Sequence, residues 1–310
     1  MYVRRGAAHV EVQAPAKLNL FLEVLGKRPD GFHEIETVMT PVSLFDTLEM
    51  FDDPAGELSL GCDFAVGAAY GAAASSADAV PTGADNLVLR ALNLLRSRTG
   101  ARRGARVRLV KRIPVAAGLA GGSTDAAAAL AAGNLLWDLK LNSSELADIA
   151  ASLGSDIPFF FTGGPAVCRG RGERIEPLTA TPTLYIVIVK PAEGLSTADV
   201  YRACRPAARP AGCNGLVDAW RCGSPNAVGA CLHNRLQEAA ESLNDCVART
   251  RREFAACGAT GHQMSGSGTS YFAVCRNARE ARTVAARLAA RRVGRTFVVR
   301  TLQRCAPFVV

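Results

Sequence analysis

Residues 114–125 read Pro114-Val115-Ala116-Ala117-Gly118-Leu119-Ala120-Gly121-Gly122-Ser123-Thr124-Asp125, a run of small residues that leads straight into an alanine-rich segment. Small side chains let a backbone take positive φ and approach a ligand closely. The alanine run predicts a long helix from about Ser123 to Trp137. The first turn of such a helix offers unpaired N–H groups and a partial positive charge. A turn of this composition at a helix start can cradle a phosphate chain through its main chain. A tight turn that binds nothing would read the same way. Two familiar phosphate loops are excluded: the P-loop needs a lysine after its last glycine, and none follows Gly122. The dinucleotide-binding pattern needs a βαβ setting with an acid about 20 residues on.

The rest of the chain reads as mixed helix and strand. His9 to Val24 predicts a strand broken at Pro15 and then a second strand, and Gly31 to Met50 a further strand pair. Residues 61–84, poor in large apolar groups, predict a surface loop or insertion. A helix is expected from Asn86 to about Arg98 and a strand over Arg106 to Val110. Asn142 with Glu145 three positions on is a capping box for a helix that stops at Gly154. Ile157 to Phe161 is strand-like, residues 179–183 look like a hinge, and Leu184 to Lys190 is a strand. Residues 204–230, rich in Gly, Pro and Cys, predict a long loop. Later come a helix over Asn244 to Cys257, a strand Tyr271 to Cys275, an amphipathic helix Ala278 to Arg291 and a strand Thr296 to Val299. A domain boundary falls near residues 165–180, and no internal repeat is visible.

Composition narrows the class. Of 310 residues, 49% are apolar and 21% charged, a balance that suits a folded chain rather than a disordered one. No apolar run approaches the ~20 residues of a membrane-spanning helix, and no secretory leader is visible, so a cytoplasmic protein with no membrane partner is expected. The ten cysteines read as free thiols; Cys204, Cys213, Cys222 and Cys231 stand nine apart, the wrong spacing for a zinc knuckle, and no metal cluster is expected. The net charge of +8, with arginines crowded near the C-terminus, favours anionic partners or a solvated basic helix face.

Two further blocks accompany the glycine turn: Pro15-Ala16-Lys17-Leu18-Asn19-Leu20 ahead of it and Met264-Ser265-Gly266-Ser267-Gly268-Thr269 behind it. In this order the three resemble the motifs of the GHMP kinases (galactokinase, homoserine kinase, mevalonate kinase and relatives). Arg28-Pro29-Asp30-Gly31-Phe32-His33, Asp85-Asn86-Leu87 and Gly154-Ser155-Asp156-Ile157-Pro158-Phe159 resemble one branch of that family. That branch phosphorylates the 2-hydroxyl of 4-diphosphocytidyl-2-C-methyl-D-erythritol in non-mevalonate isoprenoid synthesis. The resemblance spans nearly the whole chain and is weakest at residues 55–84 and 202–230.

The resemblance implies a two-domain α+β fold. Residues 1–175 would form a ribosomal-S5-domain-2-like half carrying the phosphate loop, and residues 176–310 a ferredoxin-like half. It implies ATP with Mg²⁺ between them, a small cytidine diphosphate acceptor, no nucleic-acid partner, and a monomer or homodimer. It assigns ATP binding to residues Pro114 to Thr124, with Ser123 or Thr124 offering a hydroxyl to Mg²⁺ or phosphate, and adenine contact to Asn86. Asn86 reads equally as a helix N-cap. Asp156, pinned between Gly154 and Pro158, becomes the general base, and Lys17 the ammonium that keeps it ionised. By position alone they are a turn aspartate and an edge-strand lysine. Asn19, Phe32, His33, Thr197 and Tyr201 become acceptor-binding residues, with aromatic rings stacking on cytosine and His33 bonding its polar edge. The turn Ser265 to Thr269 would buttress the phosphate loop. One departure is Arg235, where the resemblance leads to an acidic residue and which puts a local surface contact in doubt. Two other readings stay open: a homoserine- or mevalonate-type kinase, which has no use for Phe32 and His33, and a non-catalytic RNA-binding protein, which would bind RNA with steep salt dependence.

Overall fold

The computed structural model describes residues 1–6, 9–65, 80–179, 182–259 and 261–303. The expected insertion therefore lies largely outside the described residues, as does the centre of the expected hinge. Two sheets organise the chain. The first has eight strands: β1 (Tyr2–Arg5), β2 (His9–Lys27), β3 (His33–Asp53), β4 (Leu58–Phe64), β5 (Gly104–Lys111), β6 (Ala166–Gly170), β7 (Arg174–Pro177) and β9 (His233–Asn234). Its main path runs β1-β2-β3-β5-β4; β6 and β7 extend the far half of β3, and β9 joins β2. The second is a four-stranded antiparallel sheet in the order β10 (Gly261–Met264), β11 (Tyr271–Cys275), β8 (Tyr185–Lys190), β12 (Arg295–Arg300).

Helices α1 (Leu87–Thr99), α2 (Gly121–Leu136) and α3 (Ser143–Ala151) cover the first sheet. Ala126 to Ala132 of α2 are all buried, because a stripe of methyl groups lets α2 lie close to both α1 and the sheet. A Cβ on Gly133 would come within 2.8 Å of a Leu95 methyl group, so a larger residue there would have to displace that side chain at the crossing. The capping box of α3 forms as expected: Asn142 accepts from Ser144 and Glu145 while Glu145 accepts from Asn142. On the other side α4 (Thr197–Ala203), α5 (Asn214–Cys222), α6 (Pro225–Ala230), α7 (Leu236–Leu243), α8 (Asp245–Ala256) and α9 (Ala278–Ala290) surround the second sheet. Leu18 and Leu20 of β2 pack with Ile186, Ile188, Phe272 and Trp220, so one apolar layer joins the two sheets. Among the described residues no helix is long and apolar enough to cross a membrane.

Several local expectations are corrected. β2 and β3 are each one long strand, not strand pairs. Pro15 does not end β2: the pairing with β3 shifts register between Pro15 and Ala16, an irregularity where a missing N–H is tolerated. Ile157 to Phe161 is not a strand. All five residues are buried, Pro158 pre-sets the first φ, and Pro158–Phe161 closes a 3-10 turn. Residues 204–230 are not a loop throughout, since α5 and α6 occupy most of the second half. Cys213, Leu216, Val217 and Trp220 form an i, i+3, i+4, i+7 buried stripe that appears only when the cysteine is counted as apolar. Gly223 in the left-handed region then ends α5, and Ser224-Pro225 starts α6.

Arg235 is not a surface feature. Its Nε and Nη2 donate to the two oxygens of Glu23 at 2.7 and 3.0 Å, and Glu23 is fully buried. His233 Nε2 lies 3.0 Å from the same carboxylate, and the N–H groups of Val24 and Ala211 donate to it, each at 3.0 Å. Burial alone would raise the Glu23 pKa; the Arg235 bond and the two backbone donors outweigh it and lower it from 4.5 to about 2. The carboxylate thus ties β9 and the segment before α5 to the middle of β2. Glu23→Gln should lower unfolding stability by about 2–4 kcal/mol at pH 7, because it leaves a half-buried guanidinium poorly partnered. Because the folded pKa is depressed, this contribution is complete above pH 4.5 and is lost as pH falls towards 2. Urea unfolding of the two proteins between pH 7 and pH 3 should show the gap closing on acidification.

Candidate active site

The glycine turn takes its shape from three residues in the left-handed region, Ala116 (φ 49°), Gly118 (φ 71°) and Ala120 (φ 56°). Two of them are alanines, which adopt such angles only where the surroundings enforce them. Those surroundings are the turn of residues 265–270 and the strand β2. Ser265 Oγ donates to the Gly118 carbonyl at 3.1 Å, the Ser270 N–H to Ala117 at 3.2 Å, and the Lys17 N–H to Leu119 at 3.1 Å. A Cβ on Gly118 would stand 2.2 Å from the Ser265 carbonyl oxygen, so this position admits glycine alone. Ala120 caps α2 without any side-chain acceptor, which leaves the N–H groups of Gly121, Gly122 and Ser123 to an incoming anion.

A buried ion triad beneath the loop fixes both its ends. Lys111 Nζ contacts the carboxylate of Asp46 and lies 2.6 Å from Asp125 Oδ2. Asp46 also accepts from the N–H groups of Arg112 and Ile113, where the chain enters the loop. Asp125, in the second turn of α2, anchors the exit. Burial, with the Asp46 carboxylate close by, pushes the Asp125 pKa up, and the Lys111 ammonium pulls against it. Its Oδ1 and the Thr124 hydroxyl are buried without a hydrogen-bond partner. Lys111 and Asp46 carry no motif; only Asp125, the last residue of the glycine block, had a sequence signal.

A cleft of about 1060 Å³ opens between the loop, β2 and α4. Lys17 and Asp156 meet at its centre, with Nζ 3.3 Å from Oδ2; the lysine side chain is 5% exposed and the aspartate 36%. Lys17 also donates to Asn19 Oδ1 at 2.6 Å, Asn19 donates to Thr37 Oγ1 at 2.8 Å, and Thr37 to the Phe21 carbonyl at 2.6 Å. This relay along β2 and β3 aims the ammonium, while the carboxylate faces solvent in the cleft. Gly266, from the buttressing turn, lies against the pair: a Cβ there would be 3.2 Å from Asn19 Oδ1 and 3.5 Å from Lys17 Nζ.

At one end of the cleft are Phe32, His33, Thr197 and Tyr201. The rings of His33 and Tyr201 lie 5.1 Å apart, tilted by 33°. Burial lowers the His33 pKa and raises that of the Tyr201 hydroxyl, so both are neutral at pH 7. Phe32 is half exposed, and Thr197 Oγ1 is 2.8 Å from Ser267 Oγ of the buttressing turn. At the other end the wall includes Pro114 to Gly118 and Ala120 to Ser123. Asn86 reaches the wall too, and it also caps α1 by accepting from Val88 at 2.8 Å. Of the sequence-derived site residues only Leu119 and Thr124 line no part of the cleft. Leu119 packs its side chain in the core and offers its carbonyl to Lys17, and Thr124 is buried on α2. Sequence reasoning missed Lys111, Asp46, Arg171 and Ser155; none belongs to a glycine block, although Ser155 adjoins Asp156.

Comparison with known proteins agrees with this geometry. The family model for the GHMP kinases N terminal domain matches residues 86–164, and that for the GHMP kinases C terminal matches residues 216–293. A 4-diphosphocytidyl-2-C-methyl-D-erythritol kinase of Pelotomaculum thermopropionicum is 46% identical over 276 residues, 88% of this chain and 92% of the relative. The crystal structure of a 4-(cytidine 5'-diphospho)-2C-methyl-D-erythritol kinase superposes with a TM-score of 0.75 at 35% identity, covering 94% of this chain and 98% of that one. A homoserine kinase from Cytophaga hutchinsonii shares the fold, with a TM-score of 0.71 at 18% identity over 97% of both chains. Both family models and a relative 46% identical over 88% of the chain show the lineage: the chain belongs to the GHMP kinases, in the family of the 4-diphosphocytidyl-2-C-methyl-D-erythritol kinases.

Proposed function

We propose that this protein transfers the γ-phosphoryl group of ATP to the 2-hydroxyl of 4-diphosphocytidyl-2-C-methyl-D-erythritol, releasing ADP and the 2-phosphate. The observation that carries the reading is the Lys17–Asp156 pair in the middle of a cleft with a phosphate loop at one end and neutral aromatic rings at the other. ATP lies with its phosphates on the amides of the loop and its base towards Asn86. Cytosine lies at Phe32, His33 and Tyr201, where flat rings supply stacking of about 1–3 kcal/mol per base. The acceptor hydroxyl then reaches the centre, where Asp156 takes its proton as the oxygen attacks. Lys17 pairs with Asp156 and offsets charge on the transferring group. Phosphoryl transfer asks a protein for little beyond positioning and charge neutralisation.

Mg²⁺ would enter with the nucleotide, since kinases of this chemistry use it to neutralise phosphate charge. Hard oxygen donors suit it here: the Ser123 hydroxyl on the cleft wall and Asp125, whose Oδ1 accepts no hydrogen bond. We place the division between the two family domains at residues 175 and 176, within β7, the last strand of the first sheet before the chain crosses to β8 of the second. The enzyme acts in the cytoplasm, as a monomer or homodimer.

The test is an acceptor panel. Purified protein with ATP and Mg²⁺ should release ADP with the cytidine diphosphate acceptor and show kcat/KM at least about 10³-fold lower with homoserine or mevalonate, which cannot use the base-binding end of the cleft. Equal turnover of mevalonate or homoserine would sink the substrate assignment.

A further inference from the structure

In the block Asn234-Arg235-Leu236 the arginine serves Glu23 and the leucine the core. The asparagine does neither. Its Nδ2 donates to two carbonyls at once, Met264 at 2.8 Å and Gly266 at 2.9 Å. Its Oδ1 accepts from the Leu236 N–H at 3.0 Å. The amide fits only one way round: flipped, it would set an oxygen against two carbonyl oxygens and an amino group against an N–H. Both hydrogens and the oxygen are therefore in use. No other side chain of this length offers two donors and an acceptor in one plane.

The two carbonyls stand on either side of Ser265, through which this turn reaches the site. Ser265 is fully buried; its Oγ donates to the Gly118 carbonyl of the phosphate loop at 3.1 Å and accepts from the Asn19 N–H at 3.4 Å. Gly266, in the left-handed region at φ 57°, lies against Asn19 and Lys17. Asn234 is in turn fixed to the strand that carries both of those residues. It pairs with Leu22 of β2, and the neighbouring Arg235 N–H donates to the Leu22 carbonyl at 2.8 Å. Two more amides stitch the same stretch. Gln263 Nε2 donates to the Asn19 and Leu20 carbonyls at 2.9 and 3.1 Å, and Gln237 Oε1 accepts from the Met264 N–H at 3.0 Å. Strand β2, the turn and the phosphate loop thus form one hydrogen-bonded unit. Asn234 bridges strand and turn from outside the cleft wall.

We propose that Asn234 is a positioning residue for phosphoryl transfer. It holds the turn at Ser265, so that one contact of the turn sets the phosphate loop and the next sets the Lys17–Asn19 pair. The inference rests on the kinase reading above and adds a residue that meets neither nucleotide nor acceptor.

Asn234→Asp keeps the shape and removes both donors. Asn234→Ala removes the amide without setting a charge against two carbonyls, and is the milder variant should the aspartate fail to fold. In each, a turn free to drift by about an ångström should lower the single-turnover rate about 10–100-fold, the cost of misplaced reacting groups. The acceptor KM should move less than about threefold, since Phe32, His33 and Tyr201 make no contact with the amide. The rate is taken per CDP-binding site, counted by calorimetry, so that unfolded chains do not enter it. Asn277→Ala, which strips the N-cap from α9, is the control: its melting temperature should fall by about 2–4 °C with the rate per site unchanged. Asn234 and Ser265 should also be coupled. Ser265→Ala by itself should slow the reaction, and adding Asn234→Ala to it should slow it less than about threefold further. An Asn234→Ala protein that melts lower yet keeps the wild-type rate per site would reveal a merely structural amide. Losses that multiply in full would mean that Asn234 does not act through Ser265. Either result overturns the inference and leaves the kinase reading intact. A wild-type protein that transfers phosphate to no cytidine diphosphate acceptor would overturn that reading, and the inference with it.

Discussion

Asp156→Asn should lower kcat by about 10²–10⁴-fold while ATP and CDP affinities change little, the loss expected when a positioned general base is removed without changing its shape. Asparagine is close in size, keeps a hydrogen-bond acceptor towards Lys17 and leaves the turn between Gly154 and Pro158 intact. What it cannot do is take the proton of the attacking hydroxyl. Asp156 is accessible from the cleft while Lys17 is almost wholly buried beside it, so in the proposed mechanism the lysine is the fixed charge and the carboxylate the group that meets substrate. Rapid-quench single-turnover measurement separates the chemical step from product release. A variant that keeps full single-turnover rate would falsify the base assignment and leave Asp156 as a lysine partner only.

Gly118→Ala should damage both the loop and the fold. An added Cβ would stand 2.2 Å from the Ser265 carbonyl oxygen, a backbone atom held in a turn that itself contacts Lys17 and Asn19. The residue also sits at φ 71°, where alanine costs about 1–2 kcal/mol before any clash is counted. Together the strain and overpacking should cost about 2–4 kcal/mol of stability. Where the protein still folds, KM for ATP should rise at least about tenfold, since displaced amides no longer point at one phosphate position. Gly122→Ala is the control. Nothing lies nearer its added Cβ than Leu87 at 3.6 Å and its φ is ordinary, so thermal stability should hold or rise by about 0.5–1 kcal/mol in helix propensity. Equal melting temperatures for Gly118→Ala and wild type would show that the buttressing turn yields, contrary to the packing described.

The helix α1 with its Asn86 cap, the capping box of α3, the strand Tyr271–Cys275 and the passage from glycine turn to helix, expected at about Ser123 and found at Gly121, were all legible in the sequence, because each is set by neighbours within a few residues. Where reading failed, local signals had conflicting meanings. Pro15 signals a strand break, but β3 beside it shifts register and absorbs the missing donor. Cys213 passes for a loop residue until burial shows it as one position of the α5 stripe. Arg235 looked like a surface substitution until the fold brought it to a fully buried Glu23. At the site, the small residues of the loop could be read directly, and the Lys17 and Asp156 blocks were visible by resemblance. The triad of Asp46, Lys111 and Asp125 was not.

By itself the sequence determined where the backbone could turn left-handed, where helices would start, and which stretches had to be buried, since sterics, capping and side-chain volume act over a turn or two of chain. The tertiary structure alone decided which charges would meet. Lys111 finds Asp46 because β3 and β5 pair with Thr47 opposite Val110, and Lys17 finds Asp156 because strand β2 and the 3-10 turn converge. Charge pairing depends on a few ångströms of separation, and that separation is fixed by strand register and packing between segments far apart in the chain.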